Sequence, residues 1–301
     1  MKHLLLLLLL STSLCVKADD SAMLWYSRPA TYWEEALPIG NGHLGAMISS
    51  AVECDTLFLN EDTFWSGSPY SNCNTDALGV LDSIRQALWQ KDYEHAQRLG
   101  MKNIVADRNK TGHGMAYEAV GRLLIKTPTP KGVKTTAQGG ATSYRRWLDL
   151  STATAGMSYE LGGIRYERTY FASLADDVII IRLTASRDGK TLQPKQAGIP
   201  QTDFLSPEKR VRAEVSRYDG RTLMVRSTLK EKEMEHVPNL LHCVTLIRQY
   251  EDREGVTIVV SSATNFVNYH DISGDAEAKA MDKLLRAEAG MKDYAAALQR
   301  H

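Results

Sequence analysis

The chain has 301 residues, 43% of them hydrophobic and 24% charged, which is ordinary for a globular protein and enough for one large or two modest domains. Lys plus Arg and Asp plus Glu number 36 each, so no global field exists to draw in nucleic acid, an anionic membrane or an acidic substrate. A neutral ligand fits this balance better.

Residues 1–18 read as a signal peptide. Lys2 and His3 form its basic start, Leu4 to Leu10 its apolar run and Val16-Lys17-Ala18 a small-residue cleavage site, so the mature chain is expected to begin at Asp19. The run is far shorter than the roughly 18–20 apolar residues of a membrane span. A lipoprotein signal on Cys15 is disfavoured by Leu14. The product is therefore expected to be exported, periplasmic or secreted, with no membrane attachment after cleavage. Cys54, Cys73 and Cys243 then remain, an odd count without CxxC spacing, which argues against a zinc ribbon and a dense disulfide framework. Three buried free thiols are expected, although a Cys54–Cys73 bridge is chemically permitted after export.

Residues 44–59 are apolar and strand-like. The period changes over 75–101, where Leu78, Leu81, Ile84 and Leu88 recur at helical spacing behind Asp76 as a cap; this predicts one helix or a broken pair inserted between strands. Residues 102–116 read as a loop. From about 119 onward short strand-like runs follow one another, at 121–126, 144–161, 164–173, 178–184, 210–218, 221–228, 240–250 and 256–263. Gly162-Gly163 and Asp219-Gly220 sit between such runs, where hairpins need residues that accept positive φ. In "RYERTYFAS" Tyr166, Arg168 and Tyr170 fall on one face, and Glu167, Thr169 and Phe171 on the other. The fold class is thus mainly β, a large antiparallel β-sandwich with a small inserted helical segment, because the strands are too close together for βαβ crossovers. From 276 the composition turns to Ala, Lys, Glu, Leu and Met, and "MKDYAAALQRH" opens an apolar helix with nothing after it to pack against.

Among candidate chemical groups, "LNEDTFWSG" at 59–67 sets Asn60, Glu61 and Asp62 beside Phe64 and Trp65. Inverting glycoside hydrolysis needs two carboxyl groups roughly 6.5–9.5 Å apart across the sugar. Neighbours on a strand point to opposite faces, and in a turn they cap backbone N–H groups, so a structural role is the expectation for this pair and for Glu34-Glu35. In "PIGNGHLGAM" Gly40, Gly42 and Gly45 allow tight geometry; no phosphate loop is present, since a strand follows the glycines. His43, His113, His236 and His242 show no HExxH or other preformed spacing, so no metal and no cofactor is expected. GxSxG is absent, and Asn109-Lys110-Thr111 is a formal glycosylation acceptor. Of Trp25, Trp33, Trp65, Trp89 and Trp147, Trp89 reads as core, while exposed rings among the others are suited to stacking on sugars.

Four ordered blocks, "LWYSRPATYWEEALPIGNGHLGAM", "LFLNEDTFWSGSP", "IRQALWQKDYEHAQRL" and "YRRWLDLSTATAGMSYELGGIRYERTYFASLADDVIIIRLTA", closely resemble the N-terminal β-sandwich of glycoside hydrolase family 95, the α-L-fucosidases. The resemblance runs from about Leu24 to the end. It implies an exported enzyme that removes terminal α-linked fucose from glycans with inversion, built from this sandwich, a helical linker, an (α/α)6 barrel and a C-terminal β-domain. The general acid and the water-activating groups of that family belong to the barrel, so no catalytic residue is carried over. The resemblance assigns residues 19–272 to the sandwich and 273–301 to the start of the linker, so the chain is expected to be a truncated form, inactive alone. Asn60, Glu61, Asp62 and Trp65 are then expected to border the active-site mouth. At 117–123 "YEAVGRL" stands where the family shows "YQPLGDL", with Glu118, Ala119 and Arg122 in place of Gln, Pro and Asp. The alternative reading is a non-catalytic carbohydrate-binding or scaffolding sandwich that works with a separate catalytic chain. A different sugar hydrolase on the same plan is a third, because fold does not fix substrate.

Overall fold

A computed structural model describes residues 22–301 except 72, 107–114, 131–132, 134–139, 208–209, 231–236 and 292. The proposed signal peptide, the Asn109 acceptor, His113 and His236 lie outside the described residues.

Two antiparallel sheets face each other. The smaller contains β2 (Leu37–Gly40), β3 (Leu44–Ile48), β4 (Cys54–Glu61), β5 (Gly121–Lys126) and β11 (Gln201–Leu205), in the order β11-β5-β4-β3-β2. The larger contains β1 (Met23–Tyr26), β6 (Thr142–Asp149), β7 (Thr154–Leu161), β8 (Ile164–Ser173), β9 (Val178–Arg187), β12 (Val211–Arg217), β13 (Thr222–Leu229), β14 (His242–Glu251) and β15 (Gly255–Thr264). Its order is β1-β6-β7-β8-β9-β15-β14-β13-β12, with the two-residue β10 (Lys190–Thr191) beside β9. Helices α1 (Ala77–Trp89) and α2 (Tyr93–Asn103) are inserted between β4 and β5. Helix α3 (Pro194–Ala197) follows β10, and α4 (Ala276–Gly290) and α5 (Tyr294–Arg300) close the chain.

Alternation decides which face of each strand is buried. On β4 Asp55, Leu57, Leu59 and Glu61 point inward, and on β8 Tyr166, Arg168 and Tyr170 meet them in the core between the sheets. The opposite face of the large sheet is apolar as well: Phe171, Val178, Ile180, Val244, Leu246 and Val259 form a second core. Helix α4 covers it with Ala280, Leu284 and Ala287, and α5 adds Ala297 and Tyr294. This corrects the expectation that the final helix lacks a packing surface. The large sheet supplies one, and β14 and β15 are buried along most of their length because they are covered on both faces.

Other differences have local causes. Residues 144–161 form two strands, since Asp149 accepts hydrogen bonds from the Ser151 N–H (2.9 Å) and hydroxyl (2.6 Å) and turns the chain. The 44–59 run likewise divides into β3 and β4. The helical segment is a pair, broken where Lys91 adopts φ 62°. Asp76 precedes α1 without making a side-chain cap, whereas Asp92 accepts from His95 N–H at 3.0 Å and starts α2. Gly162 (φ 60°) and Gly163 (φ 71°) make the expected hairpin. Asp219-Gly220 does not use positive φ; the Asp219 carboxylate instead accepts from the Arg221 N–H at 2.7 Å.

Trp89 is 80% exposed, which corrects its reading as core: α1 and α2 pack on each other through small residues such as Ala87 and Ala96 and leave the rings outside. The thiols also differ from expectation. Cys243 is buried, Cys54 is half-buried and Cys73 is exposed, and all three are free.

Candidate functional site

The Asn60–Trp65 corner is where β4 ends. Glu61, its last residue, pairs with Leu44 of β3 and turns its carboxylate inward, while Asp62 lies on the exposed side with its N–H bonded to the His43 carbonyl at 3.0 Å. Glu61 accepts from Thr63 N–H (2.9 Å) and from the Thr63 hydroxyl (2.8 Å), and Thr63 is also hydrogen-bonded to Thr264 at the end of β15. Burial pushes the Glu61 carboxyl above its usual range, and the Thr63 bonds only partly offset this. The Glu61 carboxylate is thus buried and held by Thr63, while Asp62 is exposed.

Trp65 Nε1–H donates to the Asp62 carbonyl at 2.8 Å, and its ring meets Tyr117 edge-on with centroids 5.2 Å apart. The Tyr117 hydroxyl donates to the Glu61 carbonyl at 3.1 Å and accepts from Asn60 Nδ2 at 3.2 Å. Backbone bonds from Ser66 to Ala116 (2.8 Å) and from Glu118 to Phe64 (3.0 Å) tie the corner to the 116–118 segment. Trp65 is 41% exposed although it is fixed from two sides. The changed positions nearby are accommodated: Glu118 forms an ion pair with Arg210 at 3.1 Å, and Arg122 donates to the Pro207 carbonyl at 2.7 Å.

A second constellation adjoins the corner. Asn41 Oδ1 accepts from the N–H groups of His43 (3.0 Å) and Leu44 (2.7 Å), which shapes the β2–β3 turn. Asp177, in the β8–β9 turn with φ 54°, accepts from Asn41 Nδ2 at 3.2 Å, from His43 Nδ1 at 3.1 Å and from Lys283 Nζ of α4 at 2.7 Å. Burial works against the ionisation of Asp177, but Lys283 and His43 outweigh it and hold the carboxyl below its usual value. Sequence reasoning named His43 and the 60–65 run and missed Tyr117, Asp177 and Lys283. No sequence signal links these, because the connection exists only where the turns at one end of the sandwich meet α4.

The remaining candidates fall elsewhere. Glu35 is ion-paired with Arg28 and accepts from the Thr31 N–H at 2.9 Å, so it pins the 28–35 loop. His242 N–H donates to Asn265 Oδ1 at 2.9 Å at the start of β14. Among the described residues no group of three or more His, Cys, Asp or Glu side chains is placed to hold a metal ion, and no helix is long and apolar enough to cross a membrane.

Comparison with known proteins gives three kinds of match. The profile described as "Glycosyl hydrolase family 65, N-terminal domain" matches residues 24–269. "Alpha-L-fucosidase 2" of Arabidopsis thaliana is 36% identical over 166 residues, 55% of this chain and 18% of that protein. "Probable alpha-fucosidase A" of Aspergillus niger is 29% identical over 189 residues, 58% of this chain and 22% of that protein. Each match thus spans about a fifth of the relative's own length. Among solved structures, a putative kojibiose phosphorylase from the human microbiome aligns with 94% of this chain and 34% of its own at 8% identity and TM-score 0.46. With the family profile covering 24–269, the chain belongs to the glycosyl hydrolase family 65 N-terminal domain family, a glycoside-hydrolase N-terminal β-sandwich whose relatives include proteins named as fucosidases.

Proposed function

We propose that this chain is the N-terminal sandwich of an exported α-L-fucosidase-like glycoside hydrolase, which removes terminal α-linked fucose from glycans with inversion, and that the acid and base of the reaction lie outside these 301 residues. The observation that carries the reading is the 36% identity to a protein named alpha-L-fucosidase 2. The carboxylates of the sandwich support the division of labour. Glu61 is buried and committed to Thr63 and Glu35 to Arg28, whereas inverting hydrolysis needs two carboxyl groups free to act across the sugar. In this reading Asn60, Glu61, Asp62 and Trp65 frame the mouth of the active site: Glu61 holds the turn and Trp65 offers a ring. Residues 1–18 direct export, and 273–301 lead toward the catalytic part.

The experiment is fucose release from 2′-fucosyllactose. The purified chain releases none, while a complete enzyme that carries this sandwich does. Release by the chain alone overturns the division of labour, and a complete enzyme that cleaves other glycosides but leaves fucosides intact overturns the substrate. The rigid, exposed Trp65 favours a second reading, a non-catalytic carbohydrate-binding sandwich acting with a separate catalytic chain. Saturable glycan affinity that Trp65→Ala abolishes is its signature.

A further inference from the structure

Beside the corner lies a cleft of about 360 Å³, within the roughly 300–1,000 Å³ range of small-molecule sites. Its walls come from segments distant in sequence: His43 in the β2–β3 turn, the end of β4, Ala263 and Thr264 at the end of β15 with Phe266 and Val267 beyond it, and α4. Three acids, Glu61, Asp62 and Asp282, and three bases, Lys279, Lys283 and Arg286, line it. Each of the bases already has a partner. Lys283 Nζ lies 2.7 Å from Asp177, Arg286 Nε lies 3.1 Å from Asp282, and Lys279 Nζ donates to the Phe266 carbonyl at 2.6 Å.

Acids and bases line the cleft in equal number, so neither sign of charge dominates it, and it is dense in hydrogen-bonding groups. Hydroxyls suit it, since each both donates and accepts. His43 is oriented for the task. A carboxylate can only accept, so the Nδ1–H of His43 points at Asp177, which fixes the ring and leaves Nε2 as its second hydrogen-bonding nitrogen. The side chain is 59% exposed, so that nitrogen is accessible. Phe266 adds an apolar wall against which the C–H face of a sugar can rest.

We infer that this cleft is a subsite for one neutral pyranose unit of a glycan. His43 Nε2 hydrogen-bonds one sugar hydroxyl, the Asp62 carboxylate accepts from another, Arg286 donates, and Phe266 supports the ring. The inference rests on the glycoside-hydrolase reading above and adds a point of sugar contact within the sandwich itself. Asp177 is a positioning residue, because it fixes the His43 ring without lining the cleft.

Isothermal titration of the purified chain with lactose, 2′-fucosyllactose and 3′-sialyllactose tests it. Saturable binding of the two neutral sugars is expected with Kd of order 1 mM, weakened roughly tenfold or more by His43→Ala and by Asp62→Asn, while the carboxylate-bearing 3′-sialyllactose binds more weakly. Circular dichroism checks that each variant is folded, and His43→Gln replaces His43→Ala if the latter is not. Absence of saturable binding by all three sugars overturns the inference, as does binding that survives both substitutions. Equal or tighter binding of 3′-sialyllactose overturns the neutral-ligand assignment. The two readings fail separately: a complete enzyme that hydrolyses fucosides while this cleft binds nothing sinks the subsite alone. Sugar binding here, combined with a complete enzyme inert toward fucosides, sinks only the fucosidase reading.

Discussion

Arg168 Nη1 lies 3.4 Å from Asp55 Oδ2 with both side chains buried, so one ion pair joins β8 of the large sheet to β4 of the small one. Arg168 also donates to the carbonyls of Ala51 (3.1 Å) and Val52 (2.9 Å), and Tyr170 donates its hydroxyl to Asp55 at 2.5 Å. Burial opposes the charge on Arg168, but Tyr159, Tyr170 and Asp55 outweigh that effect and hold its pKa above the usual value. The group fixes how the two sheets meet beneath the β3–β4 connection.

Removing one partner leaves the other charged and buried. Arg168→Met is expected to lower stability by about 3–5 kcal/mol, read as the shift in urea midpoint at constant slope. A loss under about 1 kcal/mol sinks this account of the sheet contact.

Glu61 supplies a pH signature. Its folded pKa lies above the unfolded value of about 4.3, so the folded state holds the proton longer, and stability falls as pH rises from about 4.3 through the raised value. Glu61→Gln removes that slope. Urea midpoints at pH 4 and pH 7 should therefore shift relative to wild type in favour of the Gln variant as pH rises. A constant gap counts against a buried carboxyl at this corner.

The second core makes α4 part of the folding unit. Leu284 is fully buried between α4 and the outer face of the large sheet, so Leu284→Ala should cost about 2–5 kcal/mol in a single unfolding transition. Unchanged stability, or a separate early transition, means that the helix is not anchored.

Trp89, by contrast, projects from the α1–α2 pair. Trp89→Ser is expected to change stability by no more than about 0.5 kcal/mol, measured by thermal denaturation of the chain in the absence of any partner. A loss of several kcal/mol restores its reading as a core residue.

Thiol reactivity should rank the cysteines by exposure. Burial raises the pKa of Cys54 and, more strongly, that of Cys243, while Cys73 is exposed. Alkylation of the native protein followed by mass spectrometry should label Cys73 first, Cys54 more slowly and Cys243 only after unfolding. Rapid labelling of Cys243 contradicts its burial beneath Thr245 and Ser262.

Local pattern carried much of this fold. The alternation through Tyr166, Arg168 and Tyr170, the Gly162-Gly163 turn and the helical spacing behind Ile84 are all near-neighbour effects, because side-chain direction repeats every 2 or 3.6 residues. The antiparallel sandwich and the corner at Asn60, Glu61, Asp62 and Trp65 were legible for that reason. So was the structural role of Glu61, since on β4 it alternates onto the same inward face as Leu57 and Leu59. Tertiary structure alone decided what those patterns met. Whether the apolar face of α5 had a surface to cover depended on Phe171, more than a hundred residues earlier, and whether Trp89 was buried depended on the small residues that close α1 on α2. The ring of His43 is set by Asp177, 134 positions away, and by Lys283 behind it. Period fixes a residue's face, but only closure of the sheets and the docking of α4 fix its partners, and a site made of partners has no local signature.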